Sequence, residues 1–121
     1  MSGQISYKRG RIGEDLACAH LKELGHEIIA RNFRADGGEI DIISRFGETI
    51  FFSEVKARKK ASLIPIEESI SHDKRARLQR AAQAFLSCNH TFEPNAVFLF
   101  IFLILGADGS LKKINIFQDF L

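Results

Sequence analysis

GEIDIISRFGETIFFSEVKAR, residues 38–58, decides how the rest of the chain is read. Residues 39–46 and 49–57 are rich in Ile, Phe and Val, which suit a pleated, half-buried surface. Gly47-Glu48 between them fits a two-residue hairpin loop of type II′, which places Gly first. That turn fixes a register: Phe46 against Thr49, Arg45 against Ile50, and onward to Asp41 against Glu54 and Glu39 against Lys56. With side chains alternating along a strand, Asp41, Glu54 and Lys56 are expected on one face.

Two carboxylates facing each other across a sheet are destabilising. At about 4–5 Å and an effective dielectric near 20 they repel by roughly 3–4 kcal/mol. Either Lys56 and Arg45 neutralise the pair and nothing binds, or the acids await a cation. Hard cations such as Mg²⁺ or Mn²⁺ prefer clustered carboxylate oxygens, and the carbonyl of Val55 is a candidate third oxygen. Water held by such a cation can attack a phosphate whose oxygen the cation polarises. Lys56, two residues beyond Glu54 on the same face, is then placed to orient that water and to offset charge building on the phosphate. Asp41, Glu54 and Lys56 are the minimum set for hydrolysing a phosphodiester, with Glu14 as a fourth candidate from a preceding helix.

The chain around this hairpin has 121 residues, enough for one domain with its own core, here taken as residues 1–121. Its net charge of +2 permits a nucleic-acid partner without demanding one. The distribution is more informative, because only Lys112 and Lys113 of the seventeen Lys and Arg lie beyond residue 80. Arg58-Lys59-Lys60 follows the hairpin, and Lys74, Arg75, Arg77 and Arg80 share one later segment. Solvated surface is the ordinary fate of such clusters. The two cysteines, Cys18 and Cys88, lack metal-ligand spacing and sit in apolar-periodic segments, as expected of reduced core residues in a cytoplasmic protein. MSGQISYKRGR at the start has no apolar run, so no signal peptide is expected. AVFLFIFLIL, residues 96–105, is too short for a membrane helix and reads as a strand buried on both faces.

In chain order, a basic N-terminal arm at 1–9 is expected, then a helix over 11–24 with apolar Leu16, Ala17, Leu21 and Leu24 and a stop at Gly25. Glu14 in its first turn would suit the helix dipole without any further role. Strand 27–33 and a turn at Ala35-Asp36-Gly37-Gly38 lead into the hairpin. Pro65 marks an irregular segment, with a short helical turn expected over 66–70. Leu78, Ala81, Ala82, Phe85 and Leu86 form a helical stripe within 72–86, with Ser71 as cap. Lys74 in the first turn opposes the dipole, which points to another use for its charge. Strands 96–105 and 111–117 close the chain, giving α-β-β-β-α-β-β with helices flanking a mixed sheet.

With these elements in place, RIGEDLACAHLKELGHEIIARNFRADGGEIDIISRFGETIFFSEVKAR and HDKRARLQRAAQAFL resemble the YraN family of small bacterial proteins. That family is similar to the PD-(D/E)XK nuclease superfamily and, distantly, to archaeal Holliday-junction resolvases. The resemblance implies an α/β fold with a restriction-endonuclease-like αβββαβ core. It implies metal-ligand roles for Asp41 and Glu54, a catalytic role for Lys56, and places for Glu14 beside the metal and Lys74 facing phosphate. Two motifs depart from the family pattern. Pro94-Asn95-Ala96-Val97 stands where an Arg-Phe-Asp run is usual, and Leu63-Ile64 where a Phe-Gly pair is usual.

The expected function is that of a metal-dependent endonuclease acting on DNA, on branched or recombination and repair intermediates, with Mg²⁺ or Mn²⁺ as cofactor. A non-catalytic nucleic-acid-binding module is the alternative, though opposed acids would repel a polyanion unless a cation intervened. Lys8, Arg9, Arg11, Arg58, Lys59, Lys60 and Lys74 are the candidate backbone contacts, positioning substrate without reading sequence. A homodimer is expected by analogy with the resolvases, and a membrane partner is not.

Overall fold

The computed structural model describes residues 2–59, 71–89 and 95–120, with α1 (Ser2–Glu23), β1 (Glu27–Ala35), β2 (Gly38–Phe46), β3 (Thr49–Arg58), α2 (His72–Asn89), β4 (Asn95–Leu105) and β5 (Leu111–Phe120). The strands form one sheet in the order β1-β2-β3-β4-β5. All neighbours are antiparallel except β3 and β4, which run parallel. Parallel strands cannot be joined by a tight turn, and the connection from β3 to β4 carries α2 across the sheet. This is the mixed sheet flanked by helices that the chain order implies, with a restriction-endonuclease-like core.

β4 shows how one strand serves two layers. Val97, Leu99, Ile101, Leu103 and Leu105 join Ala17, Cys18 and Leu21 of α1 in one core cluster. Phe98, Phe100 and Phe102 join Leu78, Ala81, Ala82 and Phe85 of α2 in the other. Alternation in an unbroken apolar run thus sends aliphatic side chains to one helix and rings to the other. Phe85 meets Phe33 and Phe52 edge-on, at centroid distances of 5.5 and 5.9 Å.

The turns follow from residue chemistry. Gly25, at φ 99°, closes α1, with its N–H on the Lys22 carbonyl and that of His26 on the Leu21 carbonyl. Glycine reaches this left-handed conformation without a Cβ penalty. Gly47 has φ 62° and Glu48 a negative φ, as the type II′ loop requires. Ser71 Oγ accepts the N–H of Lys74 at 3.2 Å and caps α2.

Several expectations need correction. α1 starts at Ser2, so residues 2–9 are its first turns and not an arm preceding it. β1 and β5 run on to Ala35 and Phe120. Leu24 is exposed, and Cys88 is exposed while Cys18 is buried. Lys60, Pro65, the helical turn expected over 66–70 and the Leu63-Ile64 and Phe92-Glu93-Pro94 segments lie outside the described residues. No helix of the described residues is long and apolar enough to cross a membrane.

α2 rides directly on the start of β2. A Cβ at Gly38 would lie 2.1 Å from the Arg77 carbonyl oxygen and 3.3 Å from the Ala81 Cβ. Gly38→Ala is expected to cost about 1–3 kcal/mol in urea denaturation, since backbone cannot yield as a flexible side chain can. A variant as stable as the parent would show that α2 is not held at this approach.

Candidate active site

Asp41 stands where the sheet comes apart. The β2–β3 ladder runs from Phe46↔Thr49 to Ile42↔Ser53 and stops one pair short of Asp41 and Glu54. On its other side, β1 pairs Arg31 with Ile42 and Phe33 with Ile40, leaving Asn32 opposite Asp41. Asn32 is in the left-handed region at φ 53°, which asparagine tolerates better than most residues. β2 loses its regular alternation here: Ile42 packs in the α1 cluster and Ile40, two residues away, in the α2 cluster. The released Asp41 carboxylate turns toward β3 and accepts the Val55 N–H at 2.8 Å.

The register read from the turn holds from Phe46↔Thr49 to Ile42↔Ser53, and the expected Asp41–Glu54 and Glu39–Lys56 pairs beyond it do not form. Asp41 and Glu54 do meet at one cleft of about 630 Å³, whose walls also include Glu39, Arg34, Lys74 and Arg77. Lys56 does not line it. Burial, then the charges of Lys74 and Arg58, push the Lys56 ammonium below its ordinary pKa, while Glu54 opposes this. Lys56 is thus electrostatically part of the site while lying beside it. Burial and then the Glu54 charge raise the Asp41 carboxyl to about 8, against the pull of the Val55 N–H.

The charge that answers Glu54 comes from Lys74 and not from Arg45. Lys74 Nζ lies 2.5 Å from Glu54 Oε1, with side chains only 29% and 15% exposed. Arg45 is exposed and donates to the Gly47 carbonyl in the turn. No turn rule could assign Lys74, because α2 reaches β3 only through tertiary packing. Glu14 projects from α1, raised by burial and by Glu39 and Glu54 and lowered by Arg31 and a hydrogen bond from Asn32. Arg31 holds it at 3.7 Å and Asp15 at 2.8 Å. Glu14 and Arg11 line a second cleft, which shares Arg34 with the first.

Of the proposed backbone contacts, Arg11 and Lys59 are exposed and Arg58 is partly buried. The side chains of Lys8, Arg9 and Lys60 lie outside the described ones. Sequence reasoning missed Arg34, Arg77 and Asn32. An asparagine inside the strand-like run EIIARNF was the one available signal for the last. Among the described residues no three or more His, Cys, Asp or Glu are grouped so as to hold a metal. The Asp41–Glu54 pair is the densest acidic feature of the cleft.

Residues 13–103 match the model of the Uncharacterised protein family UPF0102. The chain belongs to this family. It is 50% identical over 78 residues to a UPF0102 protein of Nitratidesulfovibrio vulgaris, an alignment covering 64% of this chain and 58% of that one. It is 42% identical over 86 residues to one of Geobacter sulfurreducens, covering 71% and 67%. It is 33% identical over 112 residues to one of Syntrophus aciditrophicus, covering 93% and 87%. The chain thus spans less than two thirds of the first of these relatives. UPF0102 is a bacterial branch related to the YraN and PD-(D/E)XK proteins, in agreement with the resemblance carried by GEIDII and EVKAR.

The Asp41 shift has a definite consequence for metal-free protein. A carboxyl raised from 3.8 to about 8 on folding holds its proton longer in the folded state than in the unfolded one. Its stabilisation is full below the unfolded value and is lost as pH rises through the folded one. In chelator, the melting temperature of the parent should therefore fall relative to Asp41→Asn between pH 5 and pH 9. Parallel curves for the two proteins would show that Asp41 does not titrate in this way.

Proposed function

We propose that this protein is a divalent-metal-dependent endonuclease that hydrolyses phosphodiester bonds in DNA. The observation that carries the reading is the Asp41–Glu54 pair, two screened carboxylates converging where β2 and β3 part. Keeping such a pair without a cation is costly, and a role in structure alone would be served by apolar residues. Two carboxylates and a carbonyl make a donor set suited to Mg²⁺, which keeps several of its waters and takes only one or two protein carboxylates.

In this reading Asp41 and Glu54 bind the ion, and the Val55 carbonyl is the neighbouring oxygen. The Val55 N–H holds the Asp41 carboxylate in place. A divalent cation held there would polarise a phosphate oxygen and acidify a water. Lys56, its pKa lowered by burial and by Lys74 and Arg58, orients that water and answers the charge developing on the phosphate. Glu14 supports the site from α1, and Asn32 and Arg31 hold it there. Arg34 and Arg77 at the cleft wall, with Arg11, Arg58 and Lys59 further out, meet the phosphate backbone. Branched repair or recombination intermediates are the proposed substrates through the kinship with resolvases, and cutting both arms of a junction would require two copies of the chain.

Purified protein with Mg²⁺ or Mn²⁺ should cut one or more of a panel of linear, flapped and branched DNAs. Asp41→Ala and Lys56→Ala should each lower cutting by at least about a hundredfold, the scale of a general acid–base group. Lys56→Ala should still bind Mg²⁺ in calorimetry, whereas Asp41→Ala should not. Failure of the parent to bind any divalent ion would sink the proposal. Metal binding and DNA binding without cutting of any substrate would replace it with a non-catalytic binding module.

A further inference from the structure

The ammonium of Lys74 pairs with Glu54, and its origin makes that position conspicuous. Ser71 caps α2, so Lys74 lies in the first turn of the helix, where the backbone dipole disfavours a cation. It nevertheless reaches down to a half-buried carboxylate on the central strand, where Glu54 gives it a counter-charge. Lys56 adds further positive charge near it. Three features meet here: a cation held by one of two converging acids, a flexible four-carbon stem, and a root at a helix N-terminus. The first-turn N–H groups of a helix favour anions, so a stem rooted there can swing from a carboxylate to a phosphate.

We propose that Lys74 is a positioning residue with two stations: it neutralises Glu54 while the acid pair is metal-free, and it moves to the substrate phosphate once Asp41 and Glu54 take up a divalent cation. This rests on the metal-dependent reading of the site and adds an order of events to it. A divalent ion on Glu54 competes with Lys74 for the same carboxylate, because the two cations repel at short range. The departure of Lys74 places a positive charge at the cleft rim only when the site is loaded. Substrate and metal therefore bind with positive coupling, each favouring the state that suits the other.

The test uses the full chain and two variants, Lys74→Met, which keeps the stem and removes the charge, and Lys74→Arg, which keeps the charge. Calorimetry with Mg²⁺ at pH 9 puts the measurement above the Asp41 titration near 8, so that protons do not compete. Lys74→Met should bind Mg²⁺ about tenfold more tightly than the parent, the scale of one lost competing ion pair, and Lys74→Arg should bind like the parent. Circular dichroism checks that each variant is folded. Binding of a branched DNA is then measured by anisotropy, with Ca²⁺ in place of Mg²⁺ and separately in chelator. Lys74→Met should weaken binding in Ca²⁺ and leave it unchanged in chelator. Unchanged or weaker Mg²⁺ affinity in a folded Lys74→Met protein overturns the proposal. So does an equal loss of DNA binding with and without Ca²⁺, which would make Lys74 a fixed phosphate contact. Failure of the parent to bind Mg²⁺ would instead overturn the function on which the proposal rests, and the two failures are therefore distinct.

Discussion

The hydrogen bond from the Val55 N–H to the Asp41 carboxylate is the interaction on which the rest of the site depends. It replaces the next rung of the β2–β3 ladder, which ends at Ile42↔Ser53. A sheet that continued to pair would bury the Asp41 and Glu54 backbones in regular ladder and force their side chains into close opposition. Parting the strands at this rung lets one carboxylate be anchored by backbone while the other turns toward α2. The unpaired strand ends open the cleft, and the anchored acid keeps its shape.

Everything that surrounds this fork holds it open or answers its charge. β3 stays in the sheet beyond the fork because it still pairs with β4, through to Arg58↔Ile104. β2 is held by α2, which presses its Arg77 carbonyl against Gly38, where a side chain has no room. Asn32 stands in the left-handed region of β1 opposite Asp41 and sends a hydrogen bond to Glu14. Lys74 crosses from α2 to pair with Glu54. Glu14 thus comes from α1 and Asp41 and Glu54 from adjacent strands, and their partners come from β1, β3 and α2.

The hairpin was legible because its signals are local. Gly47-Glu48 demands a particular turn, the turn sets the register, and the register names Asp41 and Glu54 as neighbours. The apolar stripes of α1 and α2 and the unbroken run of β4 were legible for the same reason, since period and length distinguish helix from buried strand. The end of the β2–β3 ladder at Ile42↔Ser53 was not legible. A turn sets where pairing starts, and how far it runs depends on what α2 and β4 do to the two strands. The neutralising role assigned to Arg45 failed because an exposed arginine beside a turn finds the Gly47 carbonyl before it can reach a buried acid.

The sequence by itself determined the order of elements, the turn-fixed register and the identity of the paired acids, because these depend on residues close together in the chain. It also carried membership of the UPF0102 family, whose match runs over residues 13–103 and so includes GEIDII and EVKAR. Tertiary structure decided which cation answers Glu54, where Lys56 stands relative to the cleft, and how Glu14 is tied to the sheet. Those outcomes depend on how far two helices approach a sheet that is breaking its own ladder. Lys74 and Glu54 are twenty residues apart in sequence and 2.5 Å apart in space, and only the packing of α2 over Gly38 brings them together.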